Sequence, residues 1–215
     1  MPVTWEKKYL AQRYQNAVNN AQGHFFEDYI KAACALYSMR ERAEVDKTPE
    51  PFRVLEKLRD GIFKGRFTAR AQPDFQGTLA GGRSIVFEAK YTTTDRARRD
   101  ILTDPQKFAL EQHHNAGALA AVCVGIRDKF FFVPWLVWRD MKECFGRLYV
   151  TAADLEQMRV QFNGAVLFLD YVHHVGGRWL SGADCDMEKW RVKGNGKAEA
   201  AQAETDGSGH ATNSV

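Results

Sequence analysis

Residues 72–90 read QPDFQGTLAGGRSIVFEAK. Two strand-like segments, Phe75 to Leu79 and Ser84 to Lys90, flank Gly81-Gly82, and a glycine pair between such segments is β-hairpin turn chemistry. Side chains alternate along a strand, so Ile85, Phe87 and Ala89 point one way while Val86, Glu88 and Lys90 point the other. The turn length decides where Asp74 falls. A two-residue turn on Gly81-Gly82 pairs Ala80 with Arg83 and sets Asp74 opposite Ala89, on the wrong face for Glu88. An odd-length loop, such as Gly81-Gly82-Arg83, or a bulge brings Asp74 onto the face of Glu88 and Lys90. The odd register is therefore the expectation, because it alone unites the chemistry-bearing side chains.

Two carboxylates and a lysine gathered at one strand end suit hydrolysis of a phosphodiester. That reaction needs charge stabilisation on the phosphoryl oxygens and a nucleophilic water, and a bound Mg²⁺ supplies both. Mg²⁺ takes oxygen ligands and keeps several waters, so one or two carboxylates and a carbonyl suffice. Asp74, Glu88 and the backbone oxygen of Ala89 are the candidate metal ligands, with Mn²⁺ expected to substitute. Lys90 is placed to orient the water and neutralise developing charge. A lone Glu-x-Lys is weak evidence, since exposed strands carry such pairs by chance. Pro73-Asp74, the glycine turn and Glu-x-Lys closing an apolar strand together carry more.

Outward from the hairpin, Phe26, Ile30, Ala33 and Tyr37 recur at three- and four-residue spacing and predict a helix over about 23–40. Glu27 lies at the edge of that stripe, either as a solvated flank residue or reaching a site at the sheet edge. Ala43 to Thr48 reads as the first strand. Asp104 and Pro105 open a predicted helix to Asn115, with Asp104 as its cap and Gln106 facing back toward the Lys90 strand. Ala118 to Gly125 is nearly all apolar, as in a strand covered on both faces. Lys129 to Val133 and Ala165 to Val172 read as further strands, and Trp135 and Trp138 as core. Thr151 to Asp154 reads as a helix start. The overall expectation is an α/β protein built on a mixed sheet flanked by helices.

Net charge is only +3, but its distribution is uneven. Residues 47–70 hold seven Lys/Arg against three Asp/Glu, which leaves the remainder slightly acidic. Phe52, Leu55, Leu58 and Ile62 give this segment helical spacing. The helical reading covers residues 52–63, and residues 49–70 read as an insertion between the first strand and the Asp74 strand. A basic insertion on a near-neutral body suits an arm over a polyanion; the plainer alternative is a solvated face. Tyr91 to Thr103 carries Arg96, Arg98 and Arg99 and reads as a loop that orders on phosphate, or as an ordinary exposed loop balanced by acids. No apolar run is long enough for a membrane span, and no signal-peptide core opens the sequence, so a soluble cytoplasmic protein is expected. Cys34 and Cys123 sit in apolar stretches and read as reduced core residues. The residues from 192 to 215 are polar and read as a disordered tail after one domain over 1–191.

At Pro73-Asp74 and Glu88-Ala89-Lys90 the chain resembles the PD-(D/E)xK, restriction-endonuclease-like nucleases, and within them the RecU-type Holliday junction resolvases. The likeness runs over most of residues 20–140. It includes NAQGHFFE at 20–27, Lys47-Thr48-Pro49, PDFQG at 73–77, FEAK at 87–90, Pro105-Gln106, the Gly117 to Val124 strand and FFFVPW at 130–135. The resemblance implies metal binding by Asp74 and Glu88, a catalytic Lys90, and supporting roles for Glu27 and Gln106. It implies a homodimer that encloses branched DNA, encoded by a bacterium or phage. It also implies a basic stalk between the first two strands entering the branch point. Arg53, Lys57, Arg59, Lys64, Arg66 and Arg70 are then the stalk cations. Two other readings stay open: a different endonuclease of the same superfamily, or a non-catalytic DNA-binding recombination regulator.

Overall fold

The computed structural model describes residues 5–49, 52–57, 59, 62–67 and 72–172. A 35-residue helix α1 (Trp5–Met39) leads into strand β1 (Ala43–Lys47). A hairpin of β2 (Phe52–Lys57) and β3 (Phe63–Phe67) follows. The chain returns as β4 (Phe75–Leu79) and β5 (Ser84–Thr92), then forms a short β6 (Arg96–Arg98) and a 3₁₀ turn at Arg99–Ile101. Helix α2 (Asp104–Asn115) precedes β7 (Leu119–Ile126) and β8 (Lys129–Pro134). Two one-turn helices, α3 (Trp135–Arg139) and α4 (Met141–Phe145), lead to β9 (Tyr149–Thr151). The hairpin of β10 (Val160–Phe162) and β11 (Val166–Tyr171) comes last.

Five strands form the central sheet in the order β1-β4-β5-β7-β8. Only the β5–β7 pairing is parallel, and α2 supplies the crossover between them. Alternation divides the sheet's apolar residues between two cores. On one face Phe75, Ile85, Phe87, Cys123 and Phe132 pack with Phe26, Ile30, Ala33 and Tyr37 of α1 and with Val166 and Phe168 of β11. On the other, Val86, Val122 and Val124 pack with Leu110 of α2, Trp135 and Trp138 of α3 and Met141 of α4. The sheet is thus covered on both sides, which is why β7 reads as an unbroken apolar run and all eight of its residues are buried. Cys34 and Cys123 are free thiols buried in the α1-side core, and Cys144 is buried in α4.

Three expectations are corrected. The helix predicted over 52–63 is the β2–β3 hairpin. Val54, Leu55 and Glu56 are consecutive and all exposed, so the helical spacing of apolar residues there reports no buried face. The loop expected over 91–103 is ordered: β6 pairs with β9 and the 3₁₀ turn follows. Thr151 to Asp154 does not start an α-helix. The Asp154 carboxylate accepts the Thr151 N–H at 2.8 Å and the Thr151 hydroxyl at 2.7 Å, but the bonds close a turn before the 3₁₀ segment Glu156–Met158. Residues 192–215, with His173, His174 and Cys185, lie outside the described residues.

Strand β1 packs tightly against β4 at Gly77. A Cβ there would lie 2.0 Å from the Glu44 carbonyl oxygen and 2.6 Å from the Val45 Cα, both rigid backbone atoms. Gly77→Ala must push β1 off the sheet. A loss of about 2 kcal/mol or more is expected in urea denaturation. A loss within about 0.5 kcal/mol, ordinary for an exposed site, would show that this edge is not fixed as described.

Candidate active site

The β4–β5 ladder pairs Phe75 with Phe87, Gln76 with Val86, Gly77 with Ile85 and Thr78 with Ser84. The Leu79 N–H donates to the Arg83 carbonyl at 2.8 Å, so three residues, Ala80-Gly81-Gly82, make the turn. Gly81 and Gly82 both have φ near +90°, a conformation that a Cβ makes costly. The loop is odd, as the chemistry requires, though one residue earlier than Gly81-Gly82-Arg83. Continued by one step, the register sets Asp74 opposite Glu88. Phe75 and Phe87 stack at 5.0 Å on the α1 side, which leaves both acids on the α2 side.

There the side chains converge. The Ala89 N–H donates to Asp74 Oδ2 at 2.9 Å. Lys90 Nζ lies 3.3 Å from Glu88 Oε2 and 3.6 Å from Asp74 Oδ2. Gln106, in the first turn of α2, donates from Nε2 to Glu88 Oε2 at 2.6 Å. Glu88 is fully buried and is the one buried charged residue type among the described residues. Its Oε1 is inaccessible and meets no hydrogen-bond donor among the described residues. Burial, and then the facing Asp74 carboxylate, push its pKa up to about 8, with Lys90 opposing.

Glu27 is held differently. Its carboxylate pairs with Lys47 Nζ. Ala43 and Val45 face α1, so by alternation Lys47 does too, across the sheet from Glu88. Lys47 pairs with Phe75, next to Asp74, so this second ion pair shares the sheet end with the cluster but not the face. Among the basic residues, Lys64 and Arg59 are exposed on and between the strands of the β2–β3 hairpin. Arg53, Lys57 and Arg66 lie within its strands. Arg70 lies outside the described residues. Arg98 forms two hydrogen bonds to Asp100, at 2.9 and 2.7 Å, and Arg99 Nε donates to the Arg139 carbonyl at 3.0 Å. Arg96 stands 5.2 Å over the Tyr149 ring, with Arg147 4.9 Å from the same ring. Sequence reasoning placed the α2 cap on Asp104, whereas the cap residue is Thr103. The spacing Thr103-x-x-Gln106 is the signal that would have found it.

The donor set suits a hard divalent cation: two facing carboxylates, one bearing an unused buried oxygen. Among the described residues no three His, Cys, Asp or Glu side chains gather to hold a metal, so here two carboxylates would act with a backbone oxygen and water. A mixed sheet whose inner antiparallel hairpin offers an Asp opposite a Glu-x-Lys defines a PD-(D/E)xK nuclease. The Recombination protein U family model matches residues 21–176, and the chain belongs to that family, the RecU-type Holliday junction resolvases. The match extends beyond residue 140 and takes in β9, β10 and β11. No curated protein matches by sequence. Among solved structures, Hjc, a Holliday junction resolvase from the archaeal hyperthermophile Archaeoglobus fulgidus, is similar at 12% identity. The alignment covers 56% of this chain and 84% of that one, with a TM-score of 0.36. No described helix is long and apolar enough to cross a membrane.

The raised Glu88 pKa has a stability consequence. From an ordinary value of 4.5 up to about 8 the native protein keeps a proton that the unfolded chain has lost, so this group's contribution to stability falls as pH rises through that window. Glu88→Gln mimics the protonated state at every pH. In metal-free protein the variant should match wild type near pH 4, gain on it steadily as pH rises toward about 8, and hold that gain above it in chemical denaturation. A stability difference that does not change with pH would sink the assignment.

Proposed function

We propose that the protein is a Mg²⁺-dependent, homodimeric endonuclease that resolves four-way DNA junctions by paired nicks in recombination and repair, with Mn²⁺ able to replace Mg²⁺. The observation that carries this reading is the pairing of Asp74 with Glu88 across an odd hairpin turn, with Lys90 between them and Glu88 Oε1 buried without a donor among the described residues.

Asp74, Glu88 and the backbone oxygen of Ala89 would hold the cation. When bound, the cation supplies Lewis acidity toward the phosphate and lowers the pKa of a water on it. Lys90, within 3.6 Å of both carboxylates, orients that water and offsets charge building on the phosphoryl oxygens. Gln106 fixes the Glu88 carboxylate from α2. Glu27 supports the sheet end through Lys47. Arg53, Lys57, Arg59, Lys64, Arg66 and Arg70 would contact the junction near its branch point, since the basic hairpin leaves the body between β1 and β4. Arg96, Arg98 and Arg99 lie in the segment between Lys90 and Gln106 and would meet phosphates of an arm; Arg98 would exchange Asp100 for phosphate to do so.

Incubating the protein with a labelled mobile four-way junction and with matching linear duplex, with and without Mg²⁺, tests the reading. Symmetric cuts in the junction alone, dependent on Mg²⁺, are expected. Asp74→Asn should bind the junction and lose at least about 100-fold in cleavage rate, about 2.7 kcal/mol of transition-state stabilisation. Cutting of linear duplex at a fixed sequence would favour a different endonuclease, and binding without cutting a regulator.

Arg59→Ala with Lys64→Ala should weaken junction binding and flatten its salt dependence, because fewer counterions are released. Metal binding measured by calorimetry should be unchanged in that double variant. An unaltered junction affinity would remove the hairpin from the binding surface.

A further inference from the structure

The side-chain amide of Gln106 carries its two functions on two atoms. Its Oε1 accepts from the Thr103 N–H at 3.0 Å and from the Thr103 hydroxyl at 3.1 Å. Its Nε2 donates to Glu88 Oε2 at 2.6 Å. A backbone N–H can only donate, so the atom facing Thr103 must be the oxygen and the amide nitrogen must face Glu88. The helix cap therefore dictates which end of Gln106 meets the active site. Were the amide reversed, an oxygen would face a carboxylate and a nitrogen would face an N–H, which pairs two acceptors and two donors.

The consequence reaches the carboxylate. Glu88 Oε2 receives Gln106 on one side and Lys90 on the other, so that oxygen is occupied. Oε1, buried and without a donor among the described residues, is the oxygen left for a cation. A carboxylate free to rotate would not present one particular oxygen. Partners of this kind, which hold a ligand without touching the metal, commonly alter metal affinity.

We infer that Thr103 is a positioning residue of the active site: by capping α2 it locks the Gln106 amide and so aims Glu88 Oε1 at the metal. This rests on the reading of Asp74 and Glu88 as the metal-holding carboxylates. Thr103 touches neither metal nor DNA in this scheme and acts only through Gln106.

The test is a pair of substitutions in two backgrounds. Thr103→Val keeps the backbone N–H that sets the amide's orientation but removes the hydroxyl, one of the two bonds that hold it there; Thr103→Ser keeps both, and each is made in the wild-type and Gln106→Leu proteins. Mn²⁺ affinity is measured by calorimetry. In the wild-type background Thr103→Val should weaken Mn²⁺ binding by about 3- to 10-fold, below the span seen when a ligand's own partner is removed, and Thr103→Ser should restore it. With Gln106→Leu already present, Thr103→Val should change Mn²⁺ affinity no further. Equal losses in both backgrounds, or a Thr103→Ser variant as impaired as Thr103→Val, would overturn the inference, because a cap that merely stabilises α2 does not depend on Gln106. The Gln106 side-chain amide signal in metal-free protein gives an independent reading, identified by its absence in Gln106→Leu. It should be slow to exchange in wild type and Thr103→Ser and fast in Thr103→Val. A wild-type protein that binds no Mn²⁺ would fail the metal-site reading, while the exchange of this amide would still decide for or against the lock.

Discussion

A carboxylate with no solvent exposure, set across a hairpin from a second carboxylate, is the arrangement that the surrounding elements serve. Desolvation and like charge both oppose ionisation of Glu88. Lys90 lowers part of that opposition, and the other neighbours hold the two acids in place. The Ala89 N–H steadies Asp74, Lys90 stands between the two acids, and Gln106 brings a neutral donor from a different element. The deficit that remains is what a divalent cation would relieve, because it adds positive charge beside that of Lys90. Sheet and helices matter here as placement: β5 carries Glu88 and Lys90, β4 meets them with Asp74, and the crossover helix α2 delivers Gln106 to the end of the strand it follows.

The two faces of the sheet divide the labour. The α1 face is filled by aromatic rings, with Phe87 in contact with Phe75, Phe132 and Phe168. The α2 face carries smaller aliphatic side chains toward the helices and ends in the acidic cluster. Tyr37, Arg42 and Asp170 tie the end of α1 to β11 by hydrogen bonds from 2.8 to 3.1 Å, closing the aromatic face behind the site. Rigidity on one side lets the opposite side hold charges at fixed separations.

Much of this was legible in the chain. Strict alternation over Ser84 to Lys90 assigns faces correctly, and the need to unite Asp74 with Glu88 requires the odd turn that the β4–β5 register shows. The helix stripe from Phe26 to Tyr37 and the apolar run of β7 were legible because both are buried, and burial is what periodicity records. The same signal misled at 52–63. There Phe52, Leu55, Leu58 and Ile62 fall at helical intervals, yet Leu55 and Ile62 are exposed and nothing enforces the period. Thr151 and Asp154 misled for another reason: their mutual hydrogen bonds are common to turns and helix starts, and only the residues after them decide which. Lys47 as the partner of Glu27 is a long-range contact, and local pattern does not reach it.

The three-residue turn at Ala80-Gly81-Gly82 also governs where this chain can change length over generations. A residue added within the turn lengthens a surface loop and leaves the pairing from Leu79 with Arg83 outward intact. A residue added between Asp74 and Leu79, or between Arg83 and Glu88, carries one acid to the opposite face of the sheet unless a bulge absorbs it. Descendants of this sequence can therefore drift in turn length while the two flanking segments stay fixed in count, so tolerated insertions and deletions should cluster on the glycines and stop sharply at the strands.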